Sequence, residues 1–172
     1  MNRLNLKTIT NKKNLKKITC LTAYTSSIAK IIDRHVDIIL IGDSVGTVIY
    51  GMENTQGVTL DMMMAHGKAV VKSSKRAFTM IDMPYHTYRT NKEALTNARK
   101  LLQFTNCQSV KLEADNKNIN IIKHLVKNKV KVISHIGVTP QNYKNFNKIR
   151  SVGSALGEKE KIFKLAIDLE KA

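Results

Sequence analysis

Residues 37–51 read DIILIGDSVGTVIYG. The apolar run Ile38–Ile41 has no alternating polar positions, which is how a strand reads when both faces of its sheet are covered, as in parallel α/β proteins. Gly42, Asp43 and Ser44 end the run abruptly. Asp and Gly are ordinary turn residues, so a carboxylate there gains meaning only if other strands end in the same manner.

Working outward, apolar runs alternate with helical patterns. Ile18–Ala23 is expected as a first strand, with an amphipathic stretch over Ser26–Arg34, and Ile38–Ile41 as the second. Thr59–Ser73 follows as a helix with Thr59 placed to cap it. Ala77–Ile81 is the third strand, and Asn91–Phe104 carries Ala94, Leu95, Ala98, Leu101 and Leu102 on one helical face. Ser109–Leu112, a helix over Asn118–Lys127, Val130–Ser134 and a helix over Glu158–Ala172 complete the series. Five alternations without a hairpin signal predict parallel βα units. Both a doubly wound open sheet and a (β/α)8 barrel accommodate them; the length favours the first, since a barrel takes about 250 residues.

The strand ends argue for the barrel. Strand two runs into Asp43 and Ser44, strand three into Asp82, strand four carries Lys111 and Glu113, and strand five ends at His135. In a parallel sheet these C-terminal ends share one edge, and in a barrel they converge on the opening where such enzymes place their chemistry. Carboxylates gathered there repel unless a cation is shared, and oxygen ligands without cysteine suit Mg²⁺. Lys111 and Glu113 stand two apart and so face the same side of their strand. A lysine aimed into a sheet needs a partner.

The remaining polar residues read more plainly. His66 is expected as a packed helix-face residue, His86 as exposed or part of a lid, and His35 and His124 as structural or solvated. Met62–Met64 reads as core or subunit packing. GDSVG has neither the GxGxxG spacing nor the lysine of a GxxxxGK[ST] loop, so no nucleotide site is indicated, and its glycines suggest close approach of backbone and ligand. The connection Ser44–Val58 is long for a βα unit and suits a substrate lid.

Composition narrows the class. The chain has 172 residues, is 42% hydrophobic and 24% charged, and so can bury a core as one domain over 1–172. Its formal charge of +16 comes mostly from scattered lysine, with six arginines and 5% aromatic residues. Nucleic-acid recognition favours arginine forks and exposed aromatics, so the charge alone does not indicate it. No apolar run is long enough to span a bilayer and no signal-peptide core is present, which gives a cytoplasmic expectation. Cys20 and Cys107 lie outside any CxxC pair.

Six segments, TCLTAYTSSIAKI, DIILIGDSVG, GVTLDMMMAHGKAV, IDMPY, SVKLEAD and SHIGVTPQ, occur in the order and spacing of one family. Together they resemble the ketopantoate hydroxymethyltransferases, also called 3-methyl-2-oxobutanoate hydroxymethyltransferases, over about Ile18 to Gln141. The resemblance implies a TIM-type (β/α)8 barrel with about five of its eight units present. It implies a cytoplasmic, often decameric enzyme of pantothenate and coenzyme A biosynthesis that transfers the one-carbon unit of 5,10-methylenetetrahydrofolate to 3-methyl-2-oxobutanoate, giving 2-dehydropantoate. Its partners would be small molecules, with neither membrane nor nucleic acid.

Residue by residue, the resemblance implies Mg²⁺ at Asp43, Asp82 and Glu113, and substrate at Asp43, Ser44, Asp82 and Lys111. Lys111 and His135 would be the catalytic side chains, Lys111 balancing the oxo acid's charge and His135 giving polar support. The chain departs from the family pattern at Thr25, where the family has Asp, at Gly57, where it has Pro, and at the TNCQS turn before strand four. The family's general base, a glutamate ending the sixth strand, has no counterpart within residues 1–172. A chain without it is expected to bind a divalent cation weakly and not turn over, as a fragment or an inactive remnant would. The alternative activity is a Mg²⁺-dependent 2-oxo acid lyase or mutase of the phosphoenolpyruvate mutase and isocitrate lyase kind. Those enzymes carry a cysteine in a glycine-rich loop, a setting that neither Cys20 nor Cys107 has.

Overall fold

The structure, a computed structural model, describes residues 3–172. Its framework is one parallel sheet of β1 (Cys20–Thr22), β2 (Ile38–Ile41), β3 (Phe78–Asp82), β4 (Ser109–Glu113) and β5 (Val132–His135), in the order β1-β2-β3-β4-β5. Each strand lies beside its neighbour in sequence, with no reversal of direction across the sheet. A doubly wound sheet contains such a reversal, so the topology is that of a barrel arc.

The helices that cover this arc are α2 (Ser26–Ile32), α4 (Leu60–Ser73), α5 (Asn91–Thr105), α6 (Ile119–Lys127) and α7 (Glu158–Glu170), with α2 packed on α4, α4 on α5 and α5 on α6. Two short helices, α1 (Leu6–Thr10) and α3 (Val45–Val48), were not foreseen from the sequence. Threonine side chains cap three of the covering helices: Thr25, Thr59 and Thr90 accept the backbone N–H groups of Ile28, Met62 and Glu93. Thr25, at the first of these positions, therefore serves as the N-cap of α2.

Side-chain alternation divides the apolar residues into two clusters. Ile39, Ile41, Ile81, Val110 and Leu112 join the helices in the main core, while Ile38, Phe78 and Met80 pack on the other side with Ile9. The half-buried Leu4, Leu6, Leu40 and Ile133 complete that second cluster. The lysine-rich N-terminal segment thus contributes its few apolar residues to close the concave face. On the helix side, a Cβ at Gly67 would stand 2.7 Å from both Ile81 Cδ1 and Thr105 Cγ2, so α4 lies against β3 at a distance only glycine allows.

Strand limits differ from the sequence reading: β1 is Cys20–Thr22 rather than Ile18–Ala23, β2 is unchanged, and β3, β4 and β5 shift by one or two residues. β5 begins at Val132 because Lys129, with a left-handed φ of 63°, and Val130, bonded to Leu125 O, finish the end of α6. β3 and β4 each run one residue further, so Asp82 and Glu113 are the last residues of their strands. Asp33 anchors the turn into β3, its carboxylate accepting from Ser74 Oγ at 2.6 Å and from the backbone N–H groups of Lys75, Arg76 and Ala77 at 2.8–2.9 Å.

Candidate active site at the strand C-termini

Parallel register fixes which side chains meet. Asp82 is paired with Lys111 across β3 and β4, and Glu113 with His135 across β4 and β5. These residues fall on the same concave face as Phe78 and Met80, one or two steps toward the C-terminal edge. Gly42 brings β2 alongside: a Cβ there would meet Ser44 Oγ at 2.8 Å and approach Asp82 Oδ2 at 3.5 Å. Gly46, by contrast, is required by packing, since its Cβ would meet Val58 Cγ2 at 2.6 Å. Close approach to the polar centre therefore accounts for the first glycine of GDSVG only.

Asp82 organises the centre. One carboxylate oxygen pairs with Lys111 Nζ and the other accepts the backbone N–H of Asp43 at 3.1 Å. The lysine thus finds the partner its strand position demanded, and that partner is Asp82. Asp43 is buried, and burial, followed by the negative charge of Asp82, pushes its carboxyl up to about 6. Burial likewise lifts Glu113 to about 7, opposed by the backbone N–H of Gln141 and reinforced by the charge of Asp43. His135 is half-buried; burial and then the Lys111 charge hold its imidazole below the usual range.

A glutamine links these carboxylates, and sequence reasoning missed it. Gln141 follows β5, is only 3% exposed, and donates its side-chain N–H to Asp43 Oδ2 at 2.7 Å and to Met83 O at 3.0 Å. Its backbone N–H donates to Glu113 Oε1 at 3.0 Å, and its side-chain oxygen accepts from the hydroxyl of Tyr88. Gln56, in the long connection after β2, donates to Gln141 O at 2.8 Å, and Asn54 donates to Lys144 O at 2.8 Å. The connection is thereby tied to the segment after β5, beside this edge.

Ser44 is held by Tyr24, whose hydroxyl stands 2.8 Å from Ser44 Oγ. His66 supports that tyrosine from outside: its Nδ1–H donates to Tyr24 O at 2.7 Å while Nε2 accepts from the hydroxyl of Tyr50 at 2.9 Å. His86 stacks on Tyr85 with ring centroids 3.8 Å apart, beside a cavity of about 300 Å³ that Glu113, Tyr88 and Gln141 also line.

The structure thus brings Asp43, Ser44, Asp82, Lys111, Glu113 and His135 to one edge. Asp43 and Asp82 adjoin directly, whereas Glu113 reaches them through Gln141. Among the described residues no three His, Cys, Asp or Glu side chains form a ready-made cation cage. The donor set nevertheless suits a hard divalent cation held by one or two protein carboxylates, with water and ligand oxygens completing its shell. Glu113 Oε2 adds a buried acceptor without a hydrogen-bond partner, the kind of group that calls for a missing donor or ion.

The sequence model for ketopantoate hydroxymethyltransferase matches residues 3–172. The chain belongs to the ketopantoate hydroxymethyltransferase family. It is 47% identical over 161 residues to the 3-methyl-2-oxobutanoate hydroxymethyltransferase of Pelagibacter ubique, covering 94% of this chain and 62% of that protein. Against the same enzyme of Agrobacterium fabrum it is 43% identical over 171 residues, covering 99% of this chain and 61% of the relative. The chain thus spans about three fifths of the length of the curated relatives it matches. Among solved structures, 2,3-dimethylmalate lyase, a PEP mutase/isocitrate lyase superfamily member, superposes with a TM-score of 0.67 at 12% identity, over 99% of this chain and 60% of that one. At that identity the likeness bears on the fold alone, which is the α/β partial barrel expected from the strand ends.

Proposed function

We propose that the chain forms the N-terminal part of a 3-methyl-2-oxobutanoate hydroxymethyltransferase, which moves the one-carbon unit of 5,10-methylenetetrahydrofolate onto 3-methyl-2-oxobutanoate to give 2-dehydropantoate. The observation that carries this reading is the adjoining of Asp43 and Asp82, with Lys111 paired to Asp82, at the edge where β2, β3 and β4 end. Asp43 and Asp82 would hold Mg²⁺, with Glu113 available to the same shell. Bound there, the ion would supply Lewis acidity toward the oxo acid and make its C3 proton removable.

The chain's own groups have defined tasks in this reading. Lys111 offsets the substrate's negative charge, and Ser44, fixed by Tyr24, donates to a substrate oxygen. His135 enters from β5 as a polar neighbour held in its neutral form. The long connection after β2 restricts water and keeps the two reactants in register, a contribution that can reach effective molarities of roughly 10⁵ M. A homo-oligomeric assembly of the kind the family forms belongs to the same proposal. Among the described residues no helix is long and apolar enough to cross a membrane.

The lyase alternative gains nothing from the cysteines. Cys107 is buried before β4, where burial pushes its thiol up to about 11, and Cys20 lies on β1 with its thiol also raised by burial. Neither is set up as a thiolate.

The test is calorimetric titration of 3-methyl-2-oxobutanoate into the protein, with Mg²⁺ present or chelated, alongside an assay for tetrahydrofolate release. Saturable binding that needs Mg²⁺ and is lost in Lys111→Met supports the assignment. Binding indifferent to both removes it.

A further inference from the structure

Gln141 is tied down twice over. Its backbone N–H and C=O already join the loop after β5 to Glu113 and to Gln56. Those bonds would form with any residue other than proline at this position, so loop attachment does not require a carboxamide. Yet the side chain is buried and spends its N–H donors on Asp43 Oδ2 and Met83 O, while its oxygen takes the Tyr88 hydroxyl. The Met83 carbonyl, which can only accept, fixes the amide nitrogen on the Asp43 side, and the oxygen left on the other side takes the Tyr88 hydroxyl.

We propose that Gln141 is a positioning residue: its carboxamide, oriented by the Met83 carbonyl and anchored by Tyr88, holds the Asp43 carboxylate in the rotation at which it takes a cation beside Asp82. The proposal rests on the cation reading given under Proposed function. A neutral donor suits the task, since it restrains one oxygen of Asp43 without adding charge and leaves the other oxygen available. Partners of this kind orient metal-ligating carboxylates generally, and their removal costs about 10- to 100-fold in metal affinity.

Mn²⁺ binding followed by electron paramagnetic resonance, as a probe for the Mg²⁺ site, tests this on the whole chain. Gln141→Met keeps the length of the side chain and deletes its donors; about a tenfold loss of Mn²⁺ affinity is expected, with the far-ultraviolet dichroism unchanged. Tyr88→Phe should weaken binding less, and adding it to Gln141→Met should cost nothing more, because both act through one amide. Parental affinity in Gln141→Met overturns the proposal while leaving the cation site standing. Should that variant not fold, parental affinity in Tyr88→Phe overturns it equally. A parent chain that binds no Mn²⁺ removes the cation reading itself and this proposal with it.

Discussion

Asp82 accepts the backbone N–H of Asp43 at 3.1 Å, so the carboxylate that ends β3 fixes the main chain that leaves β2. The same carboxylate pairs with Lys111 on β4. One side chain therefore sets the relative position of three strand ends, and the chemistry proposed for the edge depends on its charge being balanced.

Replacing Lys111 by Met strands the Asp82 carboxylate in a site where its side chain is only 5% exposed. Breaking such a pair from one side costs about 3 kcal/mol. Urea unfolding at neutral pH should show that loss, and adding Asp82→Asn should recover part of it because the unpaired charge is then gone.

Glu113 and Asp43 have raised carboxyl pKa values, about 7 and about 6. Folding therefore favours their protonated forms. The stabilisation is fully present below their unfolded pKa values near 4 and is lost as pH rises through about 6 for Asp43 and about 7 for Glu113. In metal-free buffer, Glu113→Gln should flatten the upper part of that decline, measured as unfolding free energy from roughly pH 5 to pH 8.

Asp33 is a structural carboxylate with the opposite sign. Burial raises its pKa, but the bonds from Ser74 and the backbone of residues 75–77 outweigh that and leave it lowered. Its contribution is present above the unfolded value near 4 and disappears as pH falls. Asp33→Ala removes the acceptor of the buried Ser74 hydroxyl and Ala77 N–H and should cost about 3 kcal/mol, read as a lower melting temperature with Mg²⁺ affinity unaltered.

Gly67→Ala should destabilise the contact of α4 with β3. The added methyl meets Ile81 and Thr105 at 2.7 Å, an overpacking of about 1–3 kcal/mol that exceeds the gain of about 1 kcal/mol in helix propensity. Thermal unfolding of the single variant decides the sign, and a gain in stability would show that Ile81 and Thr105 yield more easily than the packing indicates.

The strands were legible because an uninterrupted apolar run as short as Ile38–Ile41, closed by Gly and Asp, suits a strand covered on both faces and little else. Asp43, Asp82, Lys111 and Glu113 stood out as polar residues closing such runs. Gln141 gave no comparable signal. It is neutral, lies in a single 3-10 turn over Pro140–Asn142, and acquires its partners only when a chain separation of 98 residues is closed onto Asp43. Tyr88 and Tyr24 were hidden likewise, their bodies passing for ordinary core or loop residues while their hydroxyls reach the centre. The helix α1 escaped notice because five residues among lysines show too little of a helical period.

That short N-terminal helix lies at the end of the arc opposite the carboxylates, with Ile9 seated against Ile38, Phe78 and Met80. It acts as a stopper in the base of a cup whose carboxylate-bearing rim is elsewhere. The packing of that base can therefore be altered without touching any side chain of the rim.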